Sequence, residues 1–213
     1  MNLSFILITL MPLSAFNQPD STTSYEAIMK EHIVMLNNAS TIGEMQEAAN
    51  GFFRVSQVHT DEWLPRYYTA LAYANMGYMS IGGVDDKDVF FIEAEKHLES
   101  AGKISENNSE IITLKGYSLM GKLNADPVNR GQRLSPRILQ LYNKARQLNP
   151  ENPRAVVLSA RMEFGMSSFM GQDTSPLCER IFARKELFSE ETDDNLLPSW
   201  GEYILKDLLE ECK

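Results

Sequence analysis

Cysteine is nearly absent from this chain, with two residues among 213. That is too few for a disulfide-stapled scaffold or a four-thiolate zinc site. Histidine is almost as scarce: His32, His59 and His97 stand apart, with no His, Glu or Cys partner at ligand spacing. Basic charge is in deficit. Twenty Lys and Arg against 29 Asp and Glu leave a formal net charge of −9, which argues against nucleic acid or an anionic membrane as a general partner. Twelve Gly and nine Pro without a period exclude collagen-like and low-complexity chains. No G-x-S-x-G nucleophile elbow occurs, since Ser167 and Ser168 follow Gly165 in the wrong register. What is present is a 43% hydrophobic content, enough to bury a sizeable core.

Gly116-Tyr117-Ser118-Leu119-Met120-Gly121-Lys122 comes close to a phosphate-binding loop, but Leu123 stands where a magnesium-binding hydroxyl is needed and no strand precedes it. No catalytic, cofactor-binding or metal-ligating residue is expected. The apolar stretch Leu3 to Leu13 spans 11 residues, too short for a bilayer and suited to the core of a secretory signal. Residues 1–17 therefore read as a signal peptide and 18–213 as a single domain, periplasmic or secreted, with no transmembrane segment after signal removal. Export would place Cys178 and Cys212 in an oxidising compartment, where a disulfide and a pair of buried thiols are both open.

Internal repetition dominates the remainder. Pro65-Arg66-Tyr67, Ser109-Glu110-Ile111 and Pro153-Arg154-Ala155 open segments 44 residues apart. In the same register come Ala72, Gly116 and Ala160, then Tyr73 and Tyr117, then Met76, Met120 and Phe164, then Gly77, Gly121 and Gly165. An opening Pro or Ser suits a helix start and a Gly suits its close, so each segment predicts a helix ending near its glycine. A second helix alternates with these: Ala94, Leu98 and Ala101 match Ile138, Tyr142 and Ala145, with Ala49, Phe53 and Ser56 as a fainter earlier row. The spacing predicts helices over 24–36, 41–58, 65–76, 88–104, 109–122, 135–148, 153–164, 175–189 and 199–211. In the last, Ser199 and Glu202 read as a capping box ahead of Trp200, Ile204, Leu205 and Leu208. Asp85 to Asp88 and Glu190 to Asp194 read as solvated loops.

These rows resemble tetratricopeptide (TPR) repeats, whose usual period is about 34 residues; the extra ten fit the loop Tyr78 to Lys87. Trp63-Leu64-Pro65-Arg66-Tyr67-Tyr68, Asp126-Pro127 with Arg130-Gly131, Asn152-Pro153-Arg154-Ala155 and Pro198-Ser199-Trp200-Gly201 are similar to a group of uncharacterised, exported TPR-like proteins of Bacteroidota. The resemblance runs from Tyr25 to Cys212. It implies an all-α right-handed superhelix of antiparallel helix pairs, a TPR-like α-α solenoid closed by a C-terminal capping helix. It brings no assigned activity.

In such stacks the first helix of each pair lines the concave face. The expected partner-binding positions are Arg66, Thr69 and Tyr73, then Tyr117, then Arg154 and Arg161, a mixture of types enriched in interface cores. Met76, Met120 and Phe164 also fit burial between helices. Seven basic residues between 127 and 161 oppose eight acids between Glu190 and Glu211; mutual neutralisation and a patch for an acidic peptide or glycan are both open. The expected function is a non-catalytic protein-interaction or scaffold module of the cell envelope with a protein or peptide partner. The alternative is a helical module binding a small acidic ligand, peptide or glycan.

Overall fold

The computed structural model describes residues 21–189, 191 and 195–213. The expected signal segment, and all of the acidic run Glu190 to Asp194 except Glu191, lie outside them. Among the described residues the chain forms nine helices and no strand: α1 Ser21–Asn38, α2 Ile42–Val58, α3 Leu64–Met79, α4 Val84–Ile104, α5 Ser109–Ala125, α6 Pro127–Leu148, α7 Pro153–Phe169, α8 Ser175–Phe182 and α9 Glu202–Glu211. Each of α1 to α8 packs on the next. In addition α1 touches α3, α3 touches α5, α5 touches α7 and α7 touches α9, whereas α2, α4 and α6 do not touch one another. The odd-numbered helices thus form an inner layer and the others splay outside it. The fold is an all-α, solenoid-like stack of adjacent helix pairs.

Local chemistry starts the helices. Thr41 Oγ1 accepts from the Glu44 amide at 3.2 Å while the Glu44 carboxylate accepts from the Thr41 amide at 3.0 Å, a complete capping box for α2. Asn108 caps α5 and Asn152 caps α7 through side-chain oxygens. The two caps are joined across the layer, because Asn152 Nδ2 donates to Ser109 Oγ at 2.9 Å and Ser109 Oγ donates to the Ala145 carbonyl at 2.9 Å.

Two outer-helix starts fall earlier than the sequence predicts. Asp85-Asp86-Lys87-Asp88 is the first turn of α4, not a loop: Asp86 accepts from the Gly83 amide at 3.0 Å, and acids are favoured at that end of a helix. Helix α6 begins at Asp126-Pro127 and carries Pro136 inside it. Arg130 holds these two starts together, donating to both Asp88 carboxylate oxygens at 2.7 and 2.6 Å and to the Lys122 carbonyl at 3.0 Å. The length of the 44-residue spacing therefore lies in long outer helices, 21 and 22 residues, instead of in the loop Tyr78 to Lys87.

The repeated glycines do not close their helices; all three lie within them. Phe91, buried on α4, fills the space between Gly77 and Gly121, and a Cβ on either would overlap its ring. Gly116 gives the same clearance to Tyr142, and Lys122 pairs with Glu95 at 2.9 Å. The phosphate-loop spacing is thus fully used by packing. Gly165 is exposed with open space around it. Its unit lacks the ring, since Ser135 stands 44 residues after Phe91.

The C-terminus departs furthest from expectation. Helix α8 stops at Phe182 and α9 starts at Glu202, behind Gly201 at φ 106° and not behind a Ser199 capping box. The chain before it lies across the inner layer. Tyr68 Oη donates to the Leu196 carbonyl at 3.0 Å, and the Trp200 indole N–H donates to Tyr67 Oη at 2.8 Å. The Trp200 and Tyr117 rings meet at 5.0 Å, and the Tyr117 and Tyr203 hydroxyls at 3.1 Å. Arg154 pins this segment: it donates to both Glu110 oxygens at 2.8 and 2.9 Å, to Glu191 at 2.9 Å and to the Trp200 carbonyl at 3.1 Å. A bond between Cys178 and Cys212, with Cα atoms 5.4 Å apart, ties α8 to the end of α9. Closing a loop of sequence separation 34 stabilises by about 3 to 4 kcal/mol in the chain-entropy model.

Replacing Gly121 by Ala forces a methyl into a filled core, at about 1 to 3 kcal/mol, whereas Gly165→Ala removes backbone entropy in an open helical site and gains about 0.5 to 1 kcal/mol. Thermal melts followed by circular dichroism should move in opposite directions, by about 2 to 4 °C per kcal/mol for a domain of this size. Equal shifts for the two variants would contradict this packing.

Candidate functional site

The six residues expected on one partner face separate into two groups. Thr69, Tyr117 and Arg154 are 1%, 5% and 3% exposed, so they lie inside the molecule and not on an open surface. Thr69 returns its hydroxyl to the Pro65 carbonyl at 2.8 Å, while Tyr117 and Arg154 are covered by the C-terminal segment. Burial disfavours charge on Arg154, but the carboxylates of Glu110 and Glu191 outweigh it and raise the pKa further. Burial likewise pushes the Tyr67, Tyr78 and Tyr117 phenols well above their usual range. This cluster is structural chemistry. Arg161 is engaged with Glu211 on α9, so the basic middle and acidic tail neutralise each other at two points, Arg154 with Glu191 and Arg161 with Glu211.

Arg66 and Tyr73 come together in an open groove between α2, α3 and α4, with a volume of about 510 Å³, above the buried Thr69. Thr69 forms part of its floor. The other walls are Phe53 from α2 and Lys96 and His97 from α4. His97 lies parallel to Tyr73, with centroids 5.7 Å apart and planes 8° apart, and Phe53 meets His97 edge-on at 5.6 Å. Gln46 Nε2 donates to Tyr73 Oη at 3.1 Å and fixes that ring. Around the aromatics stand two cations, Arg66 and Lys96, and one carboxylate, Glu93, which pairs with Lys96 at 2.6 Å.

Of the row Ala49, Phe53 and Ser56, Ala49 and Ser56 are buried at 1% and 0% exposure, and Phe53 alone departs from it. Ala48, Phe52 and Val55 face the core, and Phe53 stays 42% exposed. A one-position slip turns a side chain about 100° around a helix, enough to move Phe53 from interior to groove. His97 offered no ligand-spacing signal, because its partners come from neighbouring helices. Among the described residues no group of three or more His, Cys, Asp and Glu is placed to hold a metal ion, and no helix is long and apolar enough to cross a membrane.

Burial lowers the His97 pKa, with Arg66 and Lys96 adding to that and Glu93 opposing it. The imidazole is consequently neutral at pH 7 and keeps a lone pair available. A histidine whose folded pKa is below its unfolded value of about 6.5 binds fewer protons when folded. Its contribution to stability is complete above that value and is lost as pH falls through the interval below it. His32 acts in the same sense, its pKa lowered by burial. The imidazole proton resonances of His97 should titrate with a midpoint below 6.5, and His97→Gln should reduce the loss of melting temperature between pH 7 and 5. A midpoint above 6.5 would contradict this site geometry.

No protein-family model matches the chain, and no curated protein sequence matches it. Among solved structures it is similar to the HusA haemophore from Porphyromonas gingivalis, with a TM-score of 0.78 and 23% sequence identity, over 92% of this chain and 96% of that one. At that identity the likeness establishes a common fold, and it extends over nearly the whole of both chains.

Proposed function

We propose that this chain is a non-catalytic binding module of the cell envelope, an exported TPR-like protein of the Bacteroidota kind. Its α2–α4 groove holds a flat, largely apolar ligand carrying carboxylate groups. The observation that carries this reading is the meeting of Phe53, Tyr73 and His97 beside Arg66 and Lys96 in one open groove. Aromatic faces and edges suit an extended planar ring system, and the guanidinium suits a carboxylate. Haem has this chemistry, and the structural neighbour is a haemophore. The neutral His97 imidazole also suits iron as a ligand. Release of residues 1–17 as a signal and action in the periplasm or outside the cell accord with the Cys178–Cys212 bond. A protein or peptide partner is the second reading, favoured by Phe169 and Met170, exposed together at the end of α7.

Absorbance titration with protoporphyrin and with its iron complex tests the proposal. Both should bind saturably, with Tyr73→Ala and Arg66→Ala each weakening binding by about tenfold or more, near 1.4 kcal/mol. His97→Ala should weaken the iron complex more than the free porphyrin. Absence of saturable binding, or affinity indifferent to all three substitutions, would overturn it.

A further inference from the structure

A second cavity lies at the other end of the stack, between α7, α8 and α9, with a volume of about 280 Å³. Its accessible lining is aliphatic: Val156, Ala160, Leu177 and Leu187 are half-buried there, over the buried Ile181 and Leu208. Its mouth is cationic. Arg146 from α6, Arg180 from α8 and Arg184 just beyond it line the cavity with a single carboxylate, Glu163. That carboxylate is already engaged, accepting from Arg180 at 2.8 Å and from the Ser159 hydroxyl at 3.2 Å. Arg146 and Arg184 are exposed and make no ion pair among the described residues. The Cys178–Cys212 bond fastens α8 to α9 and so holds two of the walls together.

From this pairing of an aliphatic cavity with exposed guanidinium groups that pair with no carboxylate among the described residues, we propose that the α7–α9 cavity is a second ligand site, taking a free fatty carboxylate of medium chain length. The tail lies against Val156, Ala160, Leu177 and Leu187, and the head reaches Arg146 and Arg184. An apolar cavity of about 150 Å³ holds benzene, so this one has room for roughly ten to twelve chain carbons. The guanidinium groups supply the bidentate donors that a carboxylate takes, which a neutral head group of the same chain length would not match. The site is far in sequence from the α2–α4 groove and shares no lining residue with it.

Isothermal titration calorimetry of the intact, oxidised protein with decanoate, decanol and acetate tests the assignment. Decanoate should bind with one-to-one stoichiometry, decanol at least about tenfold more weakly, and acetate not measurably, as removal of one or other half of the ligand requires. Exchange of both Arg146 and Arg184 for Gln, on the surface where folding is undisturbed, should weaken decanoate about tenfold or more. Ala160→Trp, which fills the cavity, should abolish it, with helicity checked by circular dichroism. Tyr73→Ala should leave decanoate affinity unchanged. Equal affinity for decanol and decanoate, no decanoate binding, or survival of binding in both cavity variants would overturn the proposal. So would loss of decanoate binding in Tyr73→Ala, which would move the ligand to the other groove.

Discussion

A buried guanidinium is stable only when its charge and donors are met, and Arg154 meets them from two distant parts of the chain. Glu110 comes from α5, while Glu191 and the Trp200 carbonyl come from the segment before α9. Removing one partner of such a cluster leaves unpaired charge in a poorly solvated place, typically at about 3 to 5 kcal/mol. The ion cluster therefore sets where the C-terminal segment lies. Once seated, that segment brings the Trp200 indole to Tyr67 and covers Tyr117, and the inner face of the stack becomes interior. A helical solenoid that would otherwise present its inner layer to a partner is closed by its own tail.

That closure decides where open space remains on the stack. The α2–α4 groove lies beyond the reach of the segment's contacts, and its walls draw on helices from two adjacent pairs. Its chemistry comes from a side chain displaced by one position from the core row, Phe53, and from two rings, Tyr73 and His97, whose parallel arrangement no single helix could produce. The Cys178–Cys212 bond acts at the far end, fastening α8 and α9, so the two halves of the molecule are organised by different forces: ring packing around Gly77, Gly121 and Phe91 in one, ion pairing and a covalent tie in the other.

Much of the stack was legible because helix pairs bury equivalent positions at a constant spacing. Leu98 and Tyr142 are both fully buried, as are Ala101 and Ala145. Helix starts were legible where the signal is local, as at Pro153. The long outer helices were not, because the Arg130 to Asp88 pairing that holds their first turns spans 42 residues. Nor was the closing segment: the partners of Arg154 and Trp200 are fixed by chain reversal at Gly201, which a capping-box reading of Ser199 and Glu202 conceals. Of the expected face, Arg66 and Tyr73 meet in one groove above the buried Thr69, while the groove positions of Phe53 and His97 depend on helical phase and tertiary contact.

Proton exchange at the Trp200 indole tests the central claim most directly, because this N–H is protected only while the segment lies against Tyr67. In Arg154→Gln, with the charge removed and both carboxylates left behind, exchange at Trp200 should accelerate by about a hundredfold or more. The backbone amides of α4, in the outer layer and packed on α3 and α5, should be little affected. Protection of Trp200 that persists unchanged in the variant would show that the segment is held by something other than Arg154.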